Sequence, residues 1–363
     1  KKMKTTTKEK RIRKNIYLMI IFIILLLWNE AINENIKGVK AEKQKVRRTK
    51  SLPQLTINPN TITVSGISSG GYMAHQFQLS HSSRIMGAGV IAGGPFYCAA
   101  GNVATALGPC MKYPKLISTS VLEAFALEAE LGGQIDPLKH LQNHKVYVYS
   151  GTKDTVVAPG VVSKLVELYE ALGGVARLHV DMDEPSEHAW ITQAWGNGCG
   201  VLGAPYINAC NYPMTEKMLK TLFDDNIVVP DPAFRNNTDL FYNNLLEFDQ
   251  DKYTFTFSEM NSKGFVYIPT ACQDGKNQCD LHINFHGCHQ SYDDVRLDYM
   301  LHNELTAFAE KNNIIVLYPQ TRVSLLNPKS CWDWWGYTSP VYYSKLGFQM
   351  KSVIGMMNAL MGV

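Results

Sequence analysis

The chain has 363 residues, 45% of them apolar and 18% charged, with a net charge of +3. That balance excludes a disordered or fibrous chain and leaves room for one large domain, with or without a subdomain. The positive charge sits at the start, where residues 1–50 carry 15 Lys and Arg against 4 Asp and Glu, so the remainder is net acidic and offers no basic stripe for nucleic acid.

Lys1 to Lys14 is basic, and Ile16 to Trp28 is an unbroken apolar run of 13 residues. Small residues suited to cleavage follow at Ala31 and at Val39-Lys40-Ala41. This is the layout of a secretory signal peptide, expected over residues 1–41, with a polar basic linker over 42–59. The run is short of the roughly 20 apolar residues of a membrane span, so the expected location is extracellular, with membrane contact only if the leader is retained as an anchor.

From residue 60 onward, short apolar strands alternate with helical patterns, as in a mostly parallel sheet with helices on both faces. Strands are expected at Thr61–Ser65, Ala88–Ala92, Lys145–Ser150, Arg177–Asp181, Leu281–Phe285 and Ile314–Tyr318. Tyr253–Phe257 and Phe265–Ile268 suggest an antiparallel hairpin. Helical spacing covers Val161–Leu172 and Asp298–Lys311, and a methionine-rich stripe from Leu346 to Leu360 suggests a buried helix face. Residues 196–250 suggest loop and connector, with one short helix at Thr215–Phe223.

The first strand runs into Gly66-Ile67-Ser68-Ser69-Gly70. A strand that ends in Gly-x-Ser-x-Gly before a helix places the serine on a strained turn with its hydroxyl exposed. Such a hydroxyl needs a general base and a group that orients the base. In α/β-hydrolases both follow the serine, acid first, at strand ends. Asp154 lies just past the strand ending at Ser150, with Asp181 and Asp183 as alternatives. His188 follows the next strand on a loop at the same sheet edge; His179, inside that strand, is a poorer base.

The N–H of Ser69 is the first expected oxyanion donor. The second belongs to a His-Gly loop, and the chain has one at Phe285-His286-Gly287-Cys288-His289-Gln290. That loop ordinarily precedes the serine, yet here it comes more than two hundred residues later. Residues 281–363 would then supply the first part of the fold and 60–190 the second, which is the order a circular permutation produces. Cys279, His282, His286 and His289 are close enough to suggest zinc, but strand alternation places Cys279 opposite His282 and His286. The expectation is no metal and no cofactor.

The eight cysteines suggest disulfides in an exported chain. Sequential pairing of Cys98 with Cys110, Cys199 with Cys210, Cys272 with Cys279 and Cys288 with Cys331 would close three short loops and one longer one. Asn236-Asn237-Thr238 is a glycosylation sequon, meaningful only in a eukaryotic secretory route.

The elbow Gly66 to Ala74, Ser150-Gly151-Thr152-Lys153-Asp154, the Leu281–Gln290 segment, Phe248-Asp249-Gln250, Tyr318-Pro319-Gln320 and Cys331-Trp332-Asp333-Trp334 together resemble extracellular poly(3-hydroxybutyrate) depolymerases. Their order resembles the circularly permuted, single-domain type. The resemblance covers nearly all of residues 60–363 and implies an α/β-hydrolase catalytic domain there. It implies Ser68 as nucleophile, Asp154 and His188 as its partners, Ser69 and Cys288 as oxyanion donors, and Trp334 as a wall of the subsite for the hydroxyalkanoate unit. The substrate would be a polyester or, with the same machinery, a small feruloyl or acetyl ester. A membrane-tethered binding protein on a hydrolase scaffold is the non-enzymatic alternative. Glu187 departs from the family pattern and, with Asp183 and Glu184, suggests an acidic mouth.

Overall fold

A computed structural model describes residues 46–363; the leader expected over 1–41 and the first residues of the linker lie outside them. Twelve strands are described in chain order: Arg47–Thr49 (β1), Thr63–Ile67 (β2), Gly87–Ile91 (β3), Lys145–Tyr149 (β4), Arg177–Asp181 (β5), Trp190–Thr192 (β6), Asn197–Gly198 (β7), Ile207–Ala209 (β8), Leu245–Asp249 (β9), Lys263–Tyr267 (β10), Asp280–Phe285 (β11) and Ile314–Tyr318 (β12). Nine form one sheet in the order β1-β9-β10-β12-β11-β2-β3-β4-β5. All neighbours are parallel except β10, which runs antiparallel to both β9 and β12. β2, β3 and β12 are buried along their whole length, as a sheet covered on both faces requires. One apolar cluster holds Val64, Phe77, Val148, Val161 and Met357. Another, on the other face, holds Ile67, Tyr147, Met218 and Phe308.

This sheet is that of an α/β-hydrolase, with its first strands supplied by the end of the chain. The permuted first part is longer than expected and begins at β9. The connector expected over 196–250 holds β7 and β8, which complete a small sheet with β6 in the order β6-β8-β7, and also the helix Met214–Phe223, the helix Thr238–Asn244 and β9. The expected hairpin is also re-paired, because β10 takes β9 as its partner instead of Tyr253–Phe257.

The linker expected up to residue 59 is part of the fold from Val46 onward. β1 extends the sheet edge beside β9, with Arg48 paired to Glu247 at 3.1 Å. Leu52, Leu55 and Ile57 are buried in the core, and Leu55 N–H donates to the Leu360 carbonyl of the last helix, Phe348–Met361. The helix expected over Asp298–Lys311 is broken in two, at Asp298–His302 and Leu305–Asn312, by Glu304 at φ 67°. No described helix is long and apolar enough to cross a membrane. All four sequential disulfides are formed.

Candidate active site

Ser68 stands between β2 and the helix Ser69–Ser80 with φ 57° and ψ −123°, a conformation that costs energy for a residue with a Cβ. Its hydroxyl makes no capping bond to the helix that follows. The turn is possible because two glycines let backbones nearly touch. A Cβ on Gly66 would lie 2.3 Å from the Gly70 carbonyl oxygen, and one on Gly70 would lie 2.2 Å from that of Phe285, at the end of β11. The Ser68 turn is thus pressed against the strand that carries the His-Gly loop.

The loops that carry Asp154 and His188 leave the neighbouring strands β4 and β5 and are stitched together. Thr152 N–H donates to the Glu184 carbonyl and Lys153 N–H to that of Ser186. Asp154 Oδ2 accepts from His188 Nδ1 at 2.7 Å, while Oδ1 accepts the N–H groups of Val156 and Val157, both at 2.8 Å. Both side chains of this pair are almost wholly removed from solvent. With Nδ1–H given to the carboxylate, the neutral imidazole keeps its lone pair on Nε2. That nitrogen is the one able to take a proton.

The His-Gly loop is held from three sides. Gln290 accepts from Gly287 N–H and donates to the carbonyls of Pro205 and Tyr206. The Cys288–Cys331 disulfide ties it to the tryptophan segment, and His289 N–H donates to the Lys329 carbonyl. A Cβ built on Gly287 would sit 3.4 Å from Ser68 Cβ, which sets the loop directly beside Ser68. The amino end of the Ser69–Ser80 helix adds a favourable field for a negative oxygen there.

Ser68, Ser69, His188, Cys288 and Trp334 all line one cavity of about 480 Å³, with Asp154 behind His188. Trp334 stacks on Tyr72 with ring centroids 4.0 Å apart, and the Tyr72 hydroxyl donates to the Cys110 carbonyl. Burial, with Asp154 nearby, holds that phenol far above its ordinary pKa, so it stays protonated. Trp335 lines the cavity too, whereas Trp332 is a core residue against Phe285. Cys279 is bonded to Cys272, and the His282 ring lies between the hydroxyls of Thr63 and Ser65. Of the alternatives in the sequence, Asp181 instead accepts from Tyr147 and pairs with His179 and Lys217, away from His188.

The acidic mouth expected from Glu187 is corrected by its position. Neither Asp183, Glu184 nor Glu187 lines the cavity. Glu187 is buried, and its Oε1 accepts backbone N–H groups. The lining is apolar instead, with Tyr72, Val103, Leu107, Met111, Leu202 and Leu326 around the reacting groups. These residues come from separate segments, so no short-range pattern in the sequence marked them as one lining.

No protein-family model matches the chain. It is 42% identical over 310 residues, 85% of its length, to the poly(3-hydroxybutyrate) depolymerase of Delftia acidovorans, and it spans 61% of that relative's length. It is 30% identical over 327 residues to the polyhydroxybutyrate depolymerase of Talaromyces funiculosus, spanning 92% of it. The chain belongs to the polyhydroxybutyrate depolymerase family. Two solved structures agree: the PHB depolymerase from Penicillium funiculosum, and a PHB depolymerase complexed with an R3HB trimer. Each matches with TM-score 0.76 at 29% identity, covering 86% of this chain and 99% of its own. The likeness of this depolymerase-family chain therefore extends over nearly the full length of both solved chains.

Proposed function

We propose that this chain hydrolyses the ester bonds of poly(3-hydroxybutyrate) or related polyhydroxyalkanoates through an acyl-enzyme. The observation that carries the reading is the 2.7 Å Asp154–His188 pair opening onto the same cavity as the strained Ser68. Ser68 Oγ attacks the ester carbonyl carbon while His188 Nε2 takes its proton, and Asp154 orients the imidazole and stabilises its charged form. The N–H groups of Ser69 and Cys288 receive the oxyanion. Collapse of that intermediate releases the alcohol end of the polymer, which leaves with the proton from His188. Water then attacks the acyl-serine by the same route in reverse, freeing a hydroxy acid or short oligomer.

The cavity supports a neutral, apolar polyester. Trp334 forms one wall of the subsite, and Lys329 is the only Asp, Glu, Lys or Arg among the lining residues. Val103, Leu107 and Leu326 reach outward from the lining with more than half their surface exposed, an unfavourable arrangement in water that contact with a solid polyester would relieve. Export through the basic-apolar leader accords with the four disulfides, which persist in oxidising compartments.

The decisive experiment compares the full chain and Ser68→Ala on polyhydroxybutyrate granules and on soluble short-chain esters, with a fluorophosphonate probe as label. The expected result is granule clearing and probe labelling in the parent, and both abolished with an unchanged melting temperature in the variant. Turnover of soluble esters alone would make the chain a small-ester esterase, and no labelling at all would leave a binding protein.

A further inference from the structure

We infer that Glu187 is a positioning residue that fixes the distance between the catalytic acid and base, a role resting on the reading of Asp154 and His188 above. Its Oε1 accepts from Thr155 N–H at 2.7 Å and from His188 N–H at 2.8 Å. One oxygen therefore joins the residue after the acid to the base itself. The three N–H groups that follow Asp154 all end on carboxylates: Thr155 on Glu187, and Val156 and Val157 on Asp154. The Thr155 peptide is gripped at its other end as well, since Lys112 Nζ donates to its carbonyl. Glu187 N–H donates to the Cys199 carbonyl, which anchors the bridge to the segment closed by the Cys199–Cys210 disulfide.

The geometry is that of a clamp rather than a mouth. A carboxylate accepting N–H bonds holds them more tightly than a neutral acceptor does. Here the residue is 8% exposed, so solvent competes poorly for those donors. If the bridge is cut, Thr155 N–H and His188 N–H are left without their acceptor, and only the backbone bonds of Thr152 and Lys153 further back still tie the two loops, so the ends that carry Asp154 and His188 gain freedom. A shift of about 1 Å between acid and base is enough to cost on the order of 100-fold in rate.

The test uses the full chain with Glu187→Ala and Glu187→Gln, because the amide oxygen of glutamine can accept the same two bonds. Two quantities are read: kcat and KM on a soluble ester, and the far-downfield proton resonance of His188 Nδ1–H in its bond to Asp154. The alanine variant should lose on the order of 10- to 100-fold in kcat with KM nearly unchanged, and its downfield resonance should broaden or vanish. The glutamine variant should keep the resonance and most of kcat. A folded alanine variant with wild-type kcat and a sharp resonance would overturn the inference, as would a glutamine variant as impaired as alanine. The resonance is independent of substrate, so a failure of the esterase reading would leave this test standing.

Discussion

Besides His188, five histidines are buried, and burial holds each well below the ordinary value of 6.5, even where Asp136 near His81 and Asp294 near His286 oppose it. His75 and His282 are pushed down to about 3, and His81, His144 and His286 to about 4. Each is neutral in the folded protein at moderately acid pH, whereas the unfolded chain takes up the proton near 6.5. Stability from these groups is thus complete above about pH 6.5 and drains away as pH falls from there, toward about 4 for three of them and about 3 for His75 and His282. Asp280, Asp333 and Glu304, pushed up by burial, act in the opposite sense, so a variant isolates the effect better than the bare slope. In His282→Gln the slope of stability with pH between 6.5 and 4 should become shallower, by at most about 1.4 kcal/mol per pH unit. Denaturant titrations at several pH values measure it; parallel slopes in parent and variant would contradict the assignment.

Among elements, the contact that decides most is the near-touching of the Ser69–Ser80 helix and β11. Gly70 lets the helix approach the carbonyls of Phe285 and His286, where a Cβ would stand at 2.2 and 2.5 Å. Both obstacles are backbone, so neither can swing aside. Gly70→Ala should therefore cost about 3 kcal/mol and displace the Gly287–Cys288 loop, lowering kcat more than KM. Urea unfolding and ester kinetics test this, and a loss below about 0.5 kcal/mol would mean the approach is looser than described. The Gly-x-Ser-x-Gly spacing made the turn legible in the sequence. Which strand the second glycine faces was legible only as an oddity of order, since Phe285 lies 215 positions further along the chain.

For the whole molecule, the order of segments along the chain is separable from the sheet they build. Strands β9, β10, β11 and β12 come last in sequence and occupy the side of the sheet where an unpermuted hydrolase has its first strands. Leu55 and Leu360 are hydrogen-bonded, so the two ends of the described chain run close together. A re-permuted chain that opens at Asn226, in the exposed stretch after the helix Met214–Phe223, and joins Val363 to Val46 by a flexible linker of about ten residues should fold and keep the proposed ester hydrolysis. An insoluble or inactive product with native-like helix content would show that the segment order itself is required.

Local chemistry made a great deal legible in advance: the elbow at Ser68, a carboxylate past the end of β4, a histidine past the end of β5, and a sequential pairing that closes three short cysteine loops. Each is a short-range pattern, because a strand end, a turn or a small loop is specified by adjacent residues. What only the tertiary structure decided is long-range. β9 took β10 as its partner in place of the nearer Tyr253–Phe257, residues 46–59 joined the core, and a cavity of apolar side chains was gathered from segments far apart. Glu187 is the sharpest case. On the chain it is one more charge in an acidic loop, and only the folding of two loops against each other turns its carboxylate inward onto Thr155 and His188, because the free energy of a buried hydrogen bond depends on which donors arrive beside it and not on which residues precede it.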